Sequence, residues 1–255
     1  MSRIWMWPRR GLTVLSCGLL AMGMLAWLLP SQEAAVAASQ KRLIPIYCVE
    51  TEEKKASLTF DAAWGNEDTQ QLIDVLGSYG VKATFFVVGD WAERYPESVM
   101  ALYEAGHEIQ SHSDSHPHMS ALTREQMARE LEMCAEKIKA VTGVRPTLFR
   151  PPYGEYNNTL LEVCWQEGYQ CIQWDVDSLD WKGLSAGEIT QRVLGKVGNG
   201  SVILFHNAAE HTPQALPMLI DQLQQQGYEL VPVSQLIYPN THETDHTGRQ
   251  LRPNP

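Results

Sequence analysis

The chain has 255 residues, 44% of them hydrophobic and 20% charged, with a formal net charge of −10. That length and apolar content suit one domain of barrel size with an ample core. The acidic excess, with no basic run beyond the amino terminus, argues against nucleic acid and against an anionic membrane surface as partners.

Arg3, Arg9 and Arg10 precede an apolar run over 11–29, and 31–39 is small and polar with Ala35-Val36-Ala37 inside it. Positive, apolar, small is the order of a secretory signal. The run is also long enough to span a bilayer, so an uncleaved anchor is the alternative. Residues 1–38 are assigned to a signal peptide or membrane anchor, and 39–54 to a linker with an edge strand over 43–49. Either way the rest of the chain is expected outside the cytoplasm, touching a membrane only through that segment. Cys17 lies inside the apolar run, a poor place for a lipid-modified cysteine. Cys48, Cys134, Cys164 and Cys171 remain, and an even number in an exported chain allows one or two disulfides. No CxxC pair occurs, and three of the four sit in apolar or helical surroundings, which favours buried free thiols.

Strand and helix alternate from there on. Residues 57–60 form an apolar strand, and 68–79 carry apolar residues at helical period until Gly80. The continuous apolar run 83–88 reads as a strand buried on both faces. A short helix over 96–105 and a strand over 107–110 follow. Thr123, with Gln126 three residues on, forms a capping-box pattern that opens a helix to about 141, ended by Gly143. Then come strand 147–149, helix 158–167, strand 169–176, helix 186–197, strand 201–205, helix 212–226 and strand 228–233. Residues 239–255 are polar and Pro-containing without apolar period, and are expected to be a disordered tail. About seven alternations predict an α/β fold with a parallel sheet and helices outside. Because chemistry-bearing groups recur at successive strand ends, a distorted (β/α) barrel of one domain over 55–238 is preferred to an open doubly wound sheet.

Five stretches carry those groups. Asp61 ends the first core strand and precedes Trp64 and Gly65; it is either an acidic turn residue or a catalytic carboxylate. His112 and His116 stand four apart; on a helical turn both imidazoles would share a face and a metal, and neutral imidazole suits zinc and other borderline divalent ions. The alternative is a pair of surface histidines, and His118, after Pro117, is expected to point elsewhere. Arg150-Pro151-Pro152-Tyr153 is a rigid loop in which an arginine could hold a carboxylate and a backbone N–H could meet a reacting oxygen. Asp175, Asp177 and Asp180 precede Trp181; the acids lack a calcium-loop pattern and fit equally as partners of a catalytic group. His206 ends the strand 201–205, a place suited to a general acid or base. No glycine-rich phosphate loop occurs.

Taken in order, T-F-D at 59–61, H-S-x-S-H-P at 112–117, R-P-P-Y at 150–153, D-x-x-D-W at 177–181 and L-x-H at 204–206 resemble the polysaccharide deacetylase family, the NodB-homology carbohydrate esterases. The resemblance covers roughly 55–235 and extends, in D-x-x-W-G-N-E, to a subgroup of spore-forming bacteria that acts on cell wall or spore cortex. It implies a distorted barrel that removes acetyl groups from N-acetyl sugars of a cell-wall glycan with the help of a divalent metal. It implies Asp61 as general base, Arg150 orienting it, and His206 protonating the leaving amine with Asp180 tuning it. His112 and His116 would be metal ligands, Tyr153 would give its backbone N–H to the oxyanion, and Trp181 and Leu204 would wall the acetyl pocket.

One position departs from the family pattern. Its first motif usually reads T-F-D-D, the second Asp being a metal ligand; here that residue is Ala62, which cannot coordinate. Asn66, Glu67 or Asp68 could fill the gap, two histidines and waters could hold the metal, or catalysis could be lost. A wall-binding protein without turnover is therefore the main rival. A glycoside hydrolase pairing Asp61 with another carboxylate is a third reading, which the paired histidines and the Arg-Pro-Pro-Tyr loop fit poorly.

Overall fold

The structure, a computed structural model, describes residues 42–253 without 240 and 242. The signal or anchor assigned to 1–38 lies outside the described residues. The chain from Leu43 onward falls in one compact unit.

Its elements in order begin with β1 (Cys48–Val49), β2 (Lys55–Ala62), α1 (Thr69–Ser78), β3 (Thr84–Val87), α2 (Gly89–Arg94), α3 (Pro96–Glu104) and β4 (Glu108–Ser111). Then come α4 (Arg124–Thr142), β5 (Leu148–Phe149), α5 (Asn158–Gln166), β6 (Gln170–Cys171) and β7 (Val176–Asp177). The chain ends with α6 (Ala186–Leu194), β8 (Ser201–His206), α7 (Thr212–Gln225), β9 (Glu229–Leu230), α8 (Val233–Leu236) and β10 (Arg249–Gln250). The sheet runs β10-β1-β8-β2-β3-β4-β5-β6, with β7 also on β8 and β9 also on β2. All pairs are parallel except β1 with β8. A parallel bridge from Ile46 to Ile172 draws the β1 side toward the β6 side, so the sheet curls into a distorted barrel.

The two faces of the strands explain the layers. Alternate residues of a strand point to opposite faces. In β2, Ala56, Leu58, Phe60 and Ala62 join the core shared with Leu72 and Leu76 of α1 and Leu216, Leu219 and Leu223 of α7. Ser57, Thr59 and Asp61 take the other face. There the Ser57 and Thr59 hydroxyls donate to the carbonyls of Val231 and Ile203, each at 2.7 Å. A second cluster, with Phe86, Leu148, Ile172, Val202 and Val231, fills the barrel. The Thr123–Gln126 capping box forms as expected at the start of α4, and Gly143 ends that helix in the left-handed region at φ 74°.

Several expectations are corrected. Segment 43–49 is not an edge: Ile46 bonds the 171–173 backbone on one side, and β1 lies between β8 and β10. The carbonyl of Val49 lies so close to Gly200 that a Cβ there would stand 1.9 Å from it, which admits only glycine. The strand expected over 169–176 is two strands. Its backbone bonds β5 and Ile46 as far as Gln173, then transfers to β8 when Asp175 N–H donates to Val202. The strand expected over 228–233 shortens to β9, and α8 begins after Pro232. Helix α2 was not foreseen; Trp91 and Ala92 bury its one apolar turn. The tail beyond 239 is not disordered where it is described. β10 pairs with β1, and the fully buried Gln250 side chain donates to the carbonyls of Tyr238 and Thr241. Backbone and amide contacts, which leave no hydrophobic period, hold that segment. All four described cysteines are buried free thiols.

Candidate active site

The carboxyl ends of β8, β2, β3 and β4 lie side by side, and Asp61 is the cross-strand neighbour of His206. Asp61, His112, His116, Tyr153, Trp181, Leu204 and His206 line one cleft of about 440 Å³, a size suited to a small-molecule group. Arg150 and Asp180 lie just beneath it, both buried.

Asp61 is held from below. Arg150 Nη1 donates to Asp61 Oδ1 at 2.8 Å, and Nη2 donates to the carbonyl of Gln173 at 3.1 Å. The guanidinium is fully buried with Phe86 4.1 Å and Trp174 5.6 Å from its centre. Burial raises the Asp61 pKa, but the charges of Arg150, His112 and His206 and the Arg150 hydrogen bond together bring it below the ordinary carboxylate value.

The two histidines do not sit on a helical turn. They lie in a loop after β4 that bends through left-handed residues at Ser113 (φ 67°) and His116 (φ 59°), and this brings their ring centroids to 5.0 Å. His112 Nδ1 is 2.7 Å from the carbonyl of Arg150, which can only accept, so Nδ1 carries the proton. Burial pushes the His112 pKa down against the pull of Asp61, and burial and then His112 push that of His116 to about 4. Neutral His112 therefore turns an Nε2 lone pair toward Asp61 Oδ2, 3.5 Å away. Two acceptors facing each other in a buried place fit a cation between them.

The rest of a metal shell is not built. Ala62 lies in the core beside the helices, 0% exposed. Asn66 donates to Ser98 and Glu67 accepts from the Asn66 N–H, while Asp68 accepts from the Ala208 N–H through Oδ2 and leaves Oδ1 buried without a hydrogen-bond partner. Among the described residues no group of three or more His, Cys, Asp and Glu is placed to hold a metal. Two imidazoles fit a borderline divalent ion as donors but are one short of the three protein ligands of a usual catalytic zinc site.

His206 is paired with Asp180: Nδ1 lies 2.8 Å from Oδ1, and the His206 N–H and the Thr212 hydroxyl donate to Oδ2 at 2.8 and 2.7 Å. Burial opposes the imidazolium, but the hydrogen bond and charge of Asp180 outweigh it and raise the His206 pKa. Tyr153 sits at φ 60° after the two prolines, a backbone state costing a non-glycine residue about 1–3 kcal/mol. Gly154 follows at φ 69°, where a Cβ would meet the Trp174 ring at 2.9 Å.

Sequence reasoning missed Trp174, Asn207 and Thr212. Trp174 is an apolar residue past a strand end, and Thr212 looks like an ordinary first helical residue. Asn207 directly follows His206, and that position was the one available signal. Its side chain accepts from the Ala63 N–H and donates to the Gly65 carbonyl.

Comparison with known proteins bears out the family resemblance. The family model for polysaccharide deacetylase matches residues 49–172. The peptidoglycan-N-acetylmuramic acid deacetylase PdaA of Bacillus subtilis is 31% identical over 75% of this chain and 74% of its own. The chain belongs to the polysaccharide deacetylase family. PdaC of the same organism, also named a peptidoglycan-N-acetylmuramic acid deacetylase, is 37% identical over 74% of this chain, which spans only 40% of PdaC. Among solved structures, BA3943 of Bacillus anthracis, described as a CE4 family pseudoenzyme, superposes with TM-score 0.73 at 31% identity, covering 75% of this chain and 68% of that one.

Proposed function

We propose that the protein removes N-acetyl groups from amino sugars of peptidoglycan, in the vegetative wall or spore cortex, working outside the cytoplasm. The observation that carries this reading is the pairing, across one cleft, of a buried carboxylate locked by Arg150 with a His–Asp dyad. With Oδ1 engaged by Arg150, Asp61 keeps Oδ2 to take a proton from water. The resulting hydroxide adds to the acetamide carbon, and the Tyr153 N–H stabilises the oxyanion. The C–N bond breaks as His206 Nε2 gives its proton to the leaving nitrogen, while Asp180 holds Nδ1. The products are acetate and a free amine. His112 and His116 are the residues that would hold a divalent metal, zinc by donor type, and the ion when bound would polarise the amide carbonyl. Trp181 and Leu204 would wall the acetyl group.

The test is acetate release from purified peptidoglycan, with and without a chelator and with added zinc. Release that the chelator abolishes is expected. Release indifferent to the chelator would leave Asp61 and His206 as the working pair and remove the metal from the proposal. No release from peptidoglycan under any of these conditions would overturn the reading. Ala62 favours the second reading in that event, a wall-binding protein on the same fold, for which glycan binding is unchanged by Asp61→Asn.

The pH profile follows from the two shifts. Asp61 must be ionised, and its pKa is lowered, so activity is retained until pH drops below the usual carboxylate range. His206 must be protonated, and its pKa is raised, so the alkaline limb lies above the ordinary imidazole value. His206→Ala is expected to erase that limb from a kcat/KM profile and to lower the rate about 10²-fold. An unchanged alkaline limb would assign it to another group.

A further inference from the structure

We propose that Asn207 is a positioning residue for the acid–base pair: its side-chain amide continues the pairing of β2 and β8 past Asp61 and His206 and so fixes the distance between them. The reaction it serves rests on the deacetylase reading; the tie between the two strand ends rests on the geometry alone.

β2 and β8 run parallel and in register from Ala56 opposite Ser201 to Asp61 opposite His206. The base and the acid are therefore the last matched pair, and the end of a ladder is where it opens most easily. Beyond that pair both chains turn, at Gly65 with φ 35° and at Ala208 with φ 54°. Asn207, 4% exposed, spans this point. Its backbone N–H donates to the Asp61 carbonyl at 3.1 Å. Its side-chain oxygen accepts from the Ala63 N–H at 3.1 Å, and its Nδ2 donates to the carbonyls of Trp64 and Gly65, the latter at 2.8 Å. Trp91 of α2 donates Nε1 to the same two carbonyls at 3.1 and 2.6 Å, so the loop that Asn207 grips is itself held. The Ala208 N–H then donates to Asp68 Oδ2 at 2.9 Å and joins the two loops a second time.

The residue type follows from this geometry. A side-chain amide carries a donor and an acceptor in one plane, as a peptide group does, and that is what one more rung of the ladder requires. Aspartate has the same size but, ionised, offers acceptors alone, and would turn a negative oxygen toward the Trp64 and Gly65 carbonyls. Alanine meets neither partner. Asn207 lies outside the set of residues that line the cleft, so it acts through the backbone of the two strands and not on the substrate. The base on one strand and the acid on the other must meet opposite sides of one amide bond, and a misplacement of about 1 Å between such groups costs about 10²-fold in rate.

The test compares the full chain with its Asn207→Ala and Asn207→Asp variants, at a temperature where circular dichroism shows each folded. In Asn207→Ala, kcat for acetate release from peptidoglycan is expected to fall about 10²-fold with KM near the native value. Asn207→Asp should show the same loss at neutral pH and recover as pH falls, because a protonated carboxyl again sets a donor beside an acceptor. Burial and the carboxylates of Asp61, Glu67 and Asp68 raise the pKa of a carboxyl placed there, against the opposing His206 imidazolium. The rate of Asn207→Asp relative to native therefore rises on acidification, whereas that of Asn207→Ala stays flat. A folded Asn207→Ala with the native kcat, a loss confined to KM, or one pH-independent ratio for both variants would overturn the proposal. Amide hydrogen exchange supplies an arm without turnover. The backbone N–H of residue 207 survives either substitution and keeps the Asp61 carbonyl as partner only while the strand ends stay together. Its exchange in Asn207→Ala is expected to be about tenfold faster than in the native chain, with the β3 and β4 amides unchanged. That result without acetate release by the native chain would refute deacetylation and keep the tie, whereas native protection of residue 207 would refute the tie whatever the activity.

Discussion

Asp61→Asn is expected to lower acetate release about 10³-fold or more, the scale set by losing a positioned general base. The amide keeps the size of the carboxylate and still accepts the Arg150 hydrogen bond, 2.8 Å in the native protein, so the cleft keeps its shape. What it loses is the negative oxygen that takes the proton from water. The guanidinium is then a buried cation without its counter-charge, so the variant should also melt at lower temperature; circular dichroism at the assay temperature would separate lost folding from lost chemistry. The decisive number is kcat on a population shown to be folded. A folded variant that turns over at the native rate would remove Asp61 from the reaction.

Arg150→Leu carries the largest expected loss of stability, about 3–5 kcal/mol. The native side chain is fully buried, satisfies Asp61 and the Gln173 carbonyl, and fills the space between Phe86 and Trp174. Leucine fills part of that volume but leaves the Asp61 carboxylate, almost wholly buried at the floor of the cleft, without its counter-charge. Since the Arg150 charge heads the causes that hold the Asp61 pKa down against burial, that pKa should climb and the acid limb of the rate should move to higher pH. For a domain of this size the loss corresponds to a fall in Tm of about 10 °C. Adding Asp61→Asn to the Arg150→Leu background removes the stranded charge and should recover part of the stability, since the two sites form one network. A single variant as stable as the native protein would show that the carboxylate finds another partner or a proton.

The apolar runs, the glycine stops and the groups at strand ends were enough to read an α/β barrel, because burial on both faces demands continuous apolar strands and exposed helix faces demand period. Asp61, His112, His116, Arg150, Tyr153, Asp180, Trp181 and His206 were legible as candidates from polar or aromatic breaks at or just past the ends of such runs, whereas Leu204, inside an apolar strand, was singled out by the family resemblance alone. The helical-turn reading of the His pair failed because spacing by four is equally met by a loop with two left-handed residues, and only the folded backbone distinguishes them. Trp174 and Thr212 carry no signal of their own; their place is set by which strand end lies next to which.

What the sequence determined by itself is the layer pattern, the family resemblance and the absence of a carboxylate at Ala62, since each is a property of residue type and order. What only the tertiary structure decided is the neutral state of His112, the hydrogen-bond partners of Asn66, Glu67 and Asp68, the hold of Asn207 on the loop after β2 and the pairing of β10 with β1. Apart from the Glu67 contact with its neighbour Asn66, these depend on burial and on partners more than 20 residues away, and neither is written in the local order of residues.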